Sequence, residues 1–148
     1  GVEANDGLAR AAGLACDRGI VVDACARTSD PHIFAAGDCT ARTASDGTLL
    51  RLESVQNAIE QGKSAAAAVM GQERPFAVAP WFWSDQYDIK LQIAGLSTGA
   101  DRWETQGDPD SGSFSVYHYC GDRLLAVDSI NAAREHLQVR KRLDGECK

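Results

Sequence analysis

The sequence lacks an excess of positive charge, and this absence excludes one large class of function. Its 15 Lys and Arg residues are outnumbered by 21 Asp and Glu residues, which gives a net charge of −6 and an isoelectric point near 5.0. Nucleic-acid-binding domains normally carry a basic patch or stripe. We therefore expect no nucleic-acid partner.

Long apolar runs are also missing. No segment approaches the roughly 18 consecutive apolar residues that a membrane span needs. The first residues do not show the basic stretch followed by an apolar stretch that marks a signal peptide. We therefore expect a cytoplasmic protein without a membrane partner.

The five cysteines and three histidines do not form a metal-binding pattern. No two cysteines have C-x-x-C spacing and the histidines stand alone, whereas zinc and iron–sulfur sites need clustered ligands. We expect no metal site, and reduced thiols as in a cytosolic protein. The cysteines are Cys16, Cys25, Cys39, Cys120 and Cys147.

The first half of the chain has the pattern of an α/β segment. Residue spacing predicts a helix over Gly7–Leu14 and a short strand over Gly19–Asp23. The apolar run His32–Ala36 favours a strand that is covered on both faces, and residues 40–50 are predicted to be a polar loop. The strongest helix is predicted over Ser54–Met70, with one face suited to packing on a core. That face consists of Val55, Ala58, Ile59, Gly62, Ala65, Ala66 and Val69.

The pattern changes after residues 74–80, where two prolines and the lack of a helical period predict a linker. Alternating apolar residues over 88–96 predict a strand. Residues 113–130 are typical of two strands joined by a turn at Gly121 and Asp122, and residues 132–143 of a charged helix. The predicted fold is α+β, with an antiparallel sheet and a helix in the second part, preceded by an incomplete α/β segment. The predicted divisions are 1–75, a linker at 76–80, and 81–148.

Gly37 and Asp38 are the first candidate site residues. They follow the apolar run in the stretch TSDPHIFAAGDC, residues 28–39. The carboxyl end of a buried strand is where open α/β sheets bind ligands. A glycine there lets a ligand approach the backbone, and a carboxylate accepts hydrogen bonds from a polyhydroxylated ligand. An aspartate that merely caps a turn is the alternative.

This stretch resembles the second FAD-binding motif of flavoprotein reductases with two dinucleotide-binding domains. In those proteins the aspartate holds the ribityl chain and pyrophosphate region of FAD, and Asp38 is the matching residue. Three further stretches resemble NAD(P)H-dependent ferredoxin reductases of the putidaredoxin reductase and aromatic-ring dioxygenase ferredoxin reductase family. They are RLESVQNAIEQG (51–62), PWFWSDQYDIKLQIAGL (80–96) and GDRLLAVDSIN (121–131).

The resemblance implies FAD as the cofactor and NAD(P)H as the co-substrate. The N-terminus of the helix that begins near Ser54 would face the flavin, and Val55 and Gln56 would supply contacts largely through the backbone. Its free N–H groups and positive dipole end would stabilise negative charge on the reduced flavin. From the residues alone, Val55 is an ordinary core residue of an amphipathic helix.

The resemblance also places Trp81 and Trp83 beside the isoalloxazine ring, where an indole can pack on the flavin and shield it. Phe82 would face the other way if the segment is extended. Two tryptophans at this spacing are equally consistent with an ordinary core at a domain boundary. No catalytic side chain is expected, because the chemistry belongs to the cofactor.

The chain contains no G-x-G-x-x-G fingerprint, although a complete reductase of this kind has one for FAD and one for NAD(P)H. It also starts at Gly1 rather than at Met. We therefore expect a C-terminal part of such an enzyme, inactive when it is alone. Strands that lack their neighbours invite self-association of this piece.

The intact enzyme would pass electrons from NAD(P)H through FAD to an iron–sulfur ferredoxin of an oxygenase system. Basic side chains near the end of the chain are candidates for docking an acidic ferredoxin. One alternative is a non-catalytic interaction or dimerisation module, and another is a reductase with a different acceptor, such as rubredoxin. The choice between NADH and NADPH does not follow from these residues. The basic residues are Arg134, Arg140, Lys141 and Arg142.

Overall fold

The computed structural model describes residues 2–44 and 47–146. The chain divides into two compact units, Gly1–Phe76 and Ala77–Lys148, called the first unit and the second unit below. Cys147 lies outside the described residues, and the other four cysteines are free thiols. Among the described residues, no helix is long and apolar enough to cross a bilayer, and no three His, Cys, Asp or Glu residues are grouped to hold a metal ion.

In the part of the first unit that the structure describes, there are a three-stranded sheet and two helices. Helix α1 is Gly7–Ala11, strand β1 is Ile20–Val22, strands β2 and β3 are Thr40–Thr43 and Leu49–Leu50, and helix α2 is Val55–Val69. The sheet order is β1-β2-β3, with β1 parallel to β2 and β3 antiparallel to it. The helix predicted over 7–14 ends three residues early, and the strand predicted over 19–23 corresponds to β1.

The prediction of a buried strand over His32–Ala36 is wrong. Only Phe34 makes a bridge, with Arg27, and the run is exposed or half-buried. Side-chain hydrogen bonds fold its start into a turn: the His32 N–H donates to Asp30 Oδ1 at 2.8 Å, and the Thr28 hydroxyl donates to the Ile33 carbonyl at 2.9 Å. Polar side chains that bond to the local backbone compete in this way with strand formation.

The prediction of a loop over residues 40–50 is also wrong, because β2 and β3 lie within that range. Strand β2 begins two residues after Asp38 and pairs with β1 from Ile20↔Thr40 to Val22↔Arg42. Gly37 and Asp38 therefore precede a sheet strand instead of following one. They therefore do not lie at the carboxyl end of a strand, where open α/β sheets bind ligands.

Helix α2 forms where it was predicted, with Ser54 as its N-cap: the Ser54 hydroxyl oxygen accepts the Asn57 N–H at 3.2 Å. The prediction of its buried face is wrong. The buried residues are mostly polar, whereas Val55, Ile59 and Val69 are 56%, 51% and 68% exposed. A helix normally buries its apolar stripe, whereas α2 turns a mostly polar face toward the interior of the first unit.

Among its described residues, the second unit is an antiparallel sheet of five strands with one α-helix; an antiparallel sheet with a helix was predicted, but not the number of strands. The sheet order is β4-β5-β8-β7-β6, and helix α3 packs on β5 and β8. The hairpin β7–β8 turns at Gly121 and Asp122, where it was predicted, whereas strands β4 and β6 were not predicted. The elements are β4 Trp81–Gln86, β5 Ile89–Gly95, β6 Arg102–Asp108, a 3-10 helix Pro109–Ser111, β7 Ser113–Cys120, β8 Arg123–Ile130 and α3 Ala133–Glu146.

The core of the second unit lies between the sheet and α3. Trp81, Ala94, Val127 and Tyr117 stand opposite one another on successive strands, so they share one face of the sheet. This face meets the buried residues of α3, and its core cluster is completed by neighbours on strand ends and helix. The cluster comprises Ala79, Ala94, Leu124, Val127, Val139 and Leu143, with Trp81, Tyr117 and Tyr119 packed against it.

Candidate functional site

The Gly37–Asp38 turn lies against helix α2. Gly37 is buried and has a φ of +89°, a left-handed conformation that favours glycine. A Cβ atom at Gly37 would meet only the Ala58 Cβ, at 3.7 Å. Asp38 is exposed, and Arg51 Nη2 donates to its backbone carbonyl at 3.4 Å. The turn therefore presents a carboxylate to the outside while its backbone is held from within.

The side-chain oxygen of Gln61 holds this turn in place. Gln61 Oε1 accepts the Gly37 N–H at 2.7 Å and Asn57 Nδ2 at 3.3 Å. The Thr40 hydroxyl lies 3.0 Å from Gln61 Oε1 and 2.8 Å from the Gly37 carbonyl, and its single hydrogen serves one of them at a time. Gln61, Asn57 and Thr40 are all buried. The network ties the turn and the start of β2 to the interior face of α2.

Asn57 extends the network to the start of the helix. Its Nδ2 also donates to the Leu52 carbonyl at 2.8 Å, and its N–H bonds to the Ser54 cap. Asn57 and Gln61 are four residues apart, so they lie on one helix face. The structure thus brings together the Gly37–Asp38 turn and the first two turns of α2, which hold four of the predicted site residues.

We expect Gln61→Leu to destabilise the first unit by about 1–3 kcal/mol, because it leaves the buried Gly37 N–H without an acceptor. Neither Trp nor Tyr occurs in residues 1–76, so the measurement is hydrogen exchange of the Gly37 amide by NMR. Gln56→Leu is the matched control on the same helix. Gln56 is buried, but its Oε1 has no hydrogen-bond partner among the described residues, so we expect little or no loss. Equal losses in both variants would contradict this role of Gln61.

The N-terminus of α2 has properties that suit a ligand with partial negative charge. Val55, its first residue, is 56% exposed, and the first-turn N–H groups not used by the cap have no partner within the helix. Gln56 contributes a buried acceptor, Oε1, that lacks a donor among the described residues. A buried polar atom without a partner is costly unless a further group satisfies it. Local packing explains neither the exposure of Val55 nor the unpaired oxygen of Gln56, and contact with a ligand would account for both.

Trp81 and Trp83 lie on one face of β4, and Phe82 lies on the other, as alternation predicts. The two indole rings are stacked, with centroids 5.3 Å apart and an interplanar angle of 27°. Trp83 is 38% exposed, while Trp81 is half-buried against the core cluster. Trp81 is thus a core residue of the second unit, and Trp83 is the member of the pair that can meet a ligand.

Helix α3 supplies two further neighbours of Trp81. The guanidinium of Arg140 lies over the indole, 4.3 Å from the ring centroid. The imidazole of His136 is tilted by 60° against it, with centroids 6.1 Å apart. His136 is 1% exposed, and burial, followed by the charge of Arg140, lowers the pKa of His136 below its ordinary value. The imidazole is therefore neutral near pH 7.

Both parts of the chain are similar to known protein families. Residues 1–62 match the family model for pyridine nucleotide-disulphide oxidoreductases, and residues 81–147 match the model for the reductase C-terminal domain. The first part of the chain is therefore similar to the pyridine nucleotide-disulphide oxidoreductases, and the second part is similar to the reductase C-terminal domain. The family resemblance found in the sequence and the predicted α+β fold are both confirmed.

Several relatives match nearly the whole of this chain. Rhodocoxin reductase of Rhodococcus erythropolis is 48% identical over 147 residues, which is 99% of this chain and 34% of the relative. Putidaredoxin reductase of Pseudomonas putida is 46% identical over 143 residues, 95% of this chain and 34% of the relative. The chain thus spans about a third of the length of the curated relatives it matches.

Solved structures agree with this assignment. A crystal structure of a covalent putidaredoxin reductase–putidaredoxin complex has a TM-score of 0.91 and 43% identity, covering 98% of this chain and 35% of the solved chain. A ferredoxin reductase from Rhodopseudomonas palustris has a TM-score of 0.87 and 44% identity, covering 93% of this chain and 34% of that one.

The sequence suggested candidate residues in this region, but it missed the buried polar residues Asn57, Gln61 and Thr40 that hold the turn. Asn57 and Gln61 stand four residues apart on a predicted helix, away from its apolar stripe, and such residues usually face solvent. Thr40 stands directly after the motif residues 37–39 and was placed in a loop. The one available signal was the i, i+4 spacing of two amides beside a glycine-containing turn.

Proposed function

We propose that this chain forms part of the FAD site and the C-terminal domain of a reductase that passes electrons from NAD(P)H through FAD to an iron–sulfur ferredoxin of an oxygenase system. The observation that carries the proposal is the Gly37–Asp38 turn, fixed by buried hydrogen bonds against the first turns of α2. The names of the matched relatives support it, since they are reductases of rhodocoxin and putidaredoxin.

Each candidate residue has a physical role in this proposal. The Asp38 carboxylate accepts hydrogen bonds from the hydroxyl groups of the FAD sugar-alcohol chain, and Gly37 keeps the backbone clear of a side chain. The N–H groups at Val55 and Gln56 face the electron-rich edge of the flavin. Trp83 packs beside the ring system, supported by Trp81. When bound, FAD supplies the hydride and single-electron chemistry, and the chain supplies position and electrostatics.

The proposal also assigns each segment of the chain to a domain or linker. Residues 1–75 are a portion of the FAD-binding domain, 76–80 are a linker, and 81–148 are the C-terminal domain. The ferredoxin docks through complementary charge, for which the exposed basic residues Arg134, Lys141 and Arg142 of α3 are the candidates. We place the protein in the cytoplasm, as expected for a partner of a soluble ferredoxin.

This chain alone is expected to bind FAD weakly or not at all and to lack reductase activity, because it has no glycine-rich fingerprint for either dinucleotide. The test is a titration of the 148-residue chain with FAD, followed by absorbance, and then an assay of NADH-dependent putidaredoxin reduction. Saturable tight binding of FAD, together with NADH-dependent reduction of putidaredoxin, would contradict this expectation.

A second candidate function is a non-catalytic interaction or dimerisation module. The exposed apolar residues Val55, Ile59 and Val69 on α2 favour it, because exposed apolar stripes mark interaction sites. Sedimentation velocity at several concentrations detects self-association, and Ile59→Lys should abolish it. The two candidates separate in a protein that also carries the remaining part of the flavin site, since only the reductase then acquires FAD.

A further inference from the structure

Trp81 connects α3 to the exposed indole of Trp83. The two rings stack at 5.3 Å, and Trp81 is the one packed against the core cluster. Among the described residues, strand β4 pairs only with β5 and forms an edge of the sheet. Backbone pairing fixes the face on which Trp83 lies, but it does not fix the χ angles of a side chain at a sheet edge. The rotamer of Trp83 therefore depends on what its ring contacts.

The ring of Trp81 is in turn held from the helix. His136 and Arg140 are four residues apart in α3, so they project from one helix face. His136 is fully buried, and its Nδ1 has no hydrogen-bond partner among the described residues, so ring packing is the interaction that the structure assigns to it. The guanidinium of Arg140 lies over the indole at a distance typical of a cation–π contact.

We propose that His136 and Arg140 are positioning residues, which fix the orientation of Trp83 by clamping Trp81. In this proposal Arg140 holds the stacked rings of Trp81 and Trp83 in place. Its positive charge alone had suggested a role in ferredoxin docking. The consequence for the flavin, a correctly oriented indole beside the ring system, rests on the proposed function. The contacts of His136 and Arg140 with Trp81 do not rest on the proposed function, because they all lie within the second unit.

The contact with Trp81 requires arginine at position 140, and another positively charged residue would not replace it. A guanidinium is planar and stacks on an aromatic face, whereas a lysine ammonium is a compact, strongly hydrated charge. A docking role would be largely preserved in Arg140→Lys, since the positive charge remains. A clamping role would not be preserved, because the planar contact is lost.

The test uses the 148-residue chain and the far-ultraviolet circular dichroism couplet that two stacked indoles produce. Trp83→Phe assigns the couplet by abolishing it. We expect Arg140→Lys and Arg140→Gln each to lower the ratio of stacked to unstacked Trp83 by roughly two- to fivefold, the factor that corresponds to a surface cation–π contact. Lys141→Gln and Arg134→Gln, on the same helix, are the matched controls and should leave the couplet unchanged.

His136→Phe and His136→Ala give a second comparison. Phe keeps a ring against Trp81 and should retain the couplet, whereas Ala should lose it. Denaturant midpoints identify any variant that fails to fold, and Arg140→Lys decides the question in that case because Arg140 is partly exposed. An unchanged couplet in folded Arg140→Lys overturns the proposal, as does an equal loss in Lys141→Gln. None of these measurements involves flavin, so their failure is distinct from a failure of the proposed function.

Discussion

Gly95→Ala should unfold or nearly unfold the second unit, with a loss of about 3–5 kcal/mol from overpacking and left-handed strain together. Gly95 ends β5 with a φ of +82°. A Cβ atom there would lie 2.1 Å from the Leu125 carbonyl oxygen and 2.9 Å from the Ala126 Cα. Both atoms belong to the backbone of β8, so relief requires the central strands to separate.

The loss should appear as a fall of roughly 15–30 °C in the melting temperature, since a unit of this size shifts by several degrees per kcal/mol. All three tryptophans lie in the second unit, so their fluorescence reports on that unit alone. Gly99→Ala is the matched control. Gly99 has a φ of +84°, but a Cβ there meets nothing within 4 Å. Similar melting temperatures for the two variants would show that the contact with β8 is not decisive.

Asp38→Ala should weaken FAD binding about 10- to 100-fold, the cost of losing charge-assisted hydrogen bonds to a carboxylate. The measurement needs a complete flavin site. We would build a chimera in which this chain replaces the matching third of putidaredoxin reductase, to which it is 46% identical. FAD affinity is then obtained by titration of the apoprotein and followed by flavin fluorescence.

The controls separate the role of the carboxylate from a loss of fold. Asp38→Asn keeps an acceptor and should lose less affinity than Asp38→Ala. Asp17→Ala removes an exposed carboxylate next to the Arg18–Gly19 turn, away from the motif, and should have no effect. If Asp38→Ala binds FAD as tightly as the parent chimera, Asp38 is a turn residue, and its assignment as a cofactor ligand is wrong.

Local sequence signals predicted the elements whose formation depends on nearby residues. Helix α2 has a serine cap, and the β7–β8 hairpin has a Gly-Asp turn. The same reasoning failed where local hydrogen bonds overrode hydrophobicity. The Asp30 carboxylate and the Thr28 hydroxyl bend the apolar run over 32–36 into a turn, so the strand forms after Asp38 instead.

The supporting contacts of the candidate site could not be predicted from local pattern. Gln61 is 24 residues from Gly37, and Arg140 is 59 residues from Trp81, so these contacts exist only in the folded chain. Periodicity also assigned α2 the wrong buried face, because it rates amides as solvent-facing. The motif residues could be identified because they are contiguous, whereas the residues that position them are not.

We propose that this chain supplies a working part of a flavin-dependent ferredoxin reductase. The most direct measurement is the FAD content of the purified putidaredoxin reductase chimera, together with its NADH-dependent reduction of putidaredoxin. We expect stoichiometric FAD in the chimera, and turnover that falls when Asp38 is replaced by alanine. A folded chimera that contains no FAD, while unmodified putidaredoxin reductase prepared alongside retains it, would contradict the claim.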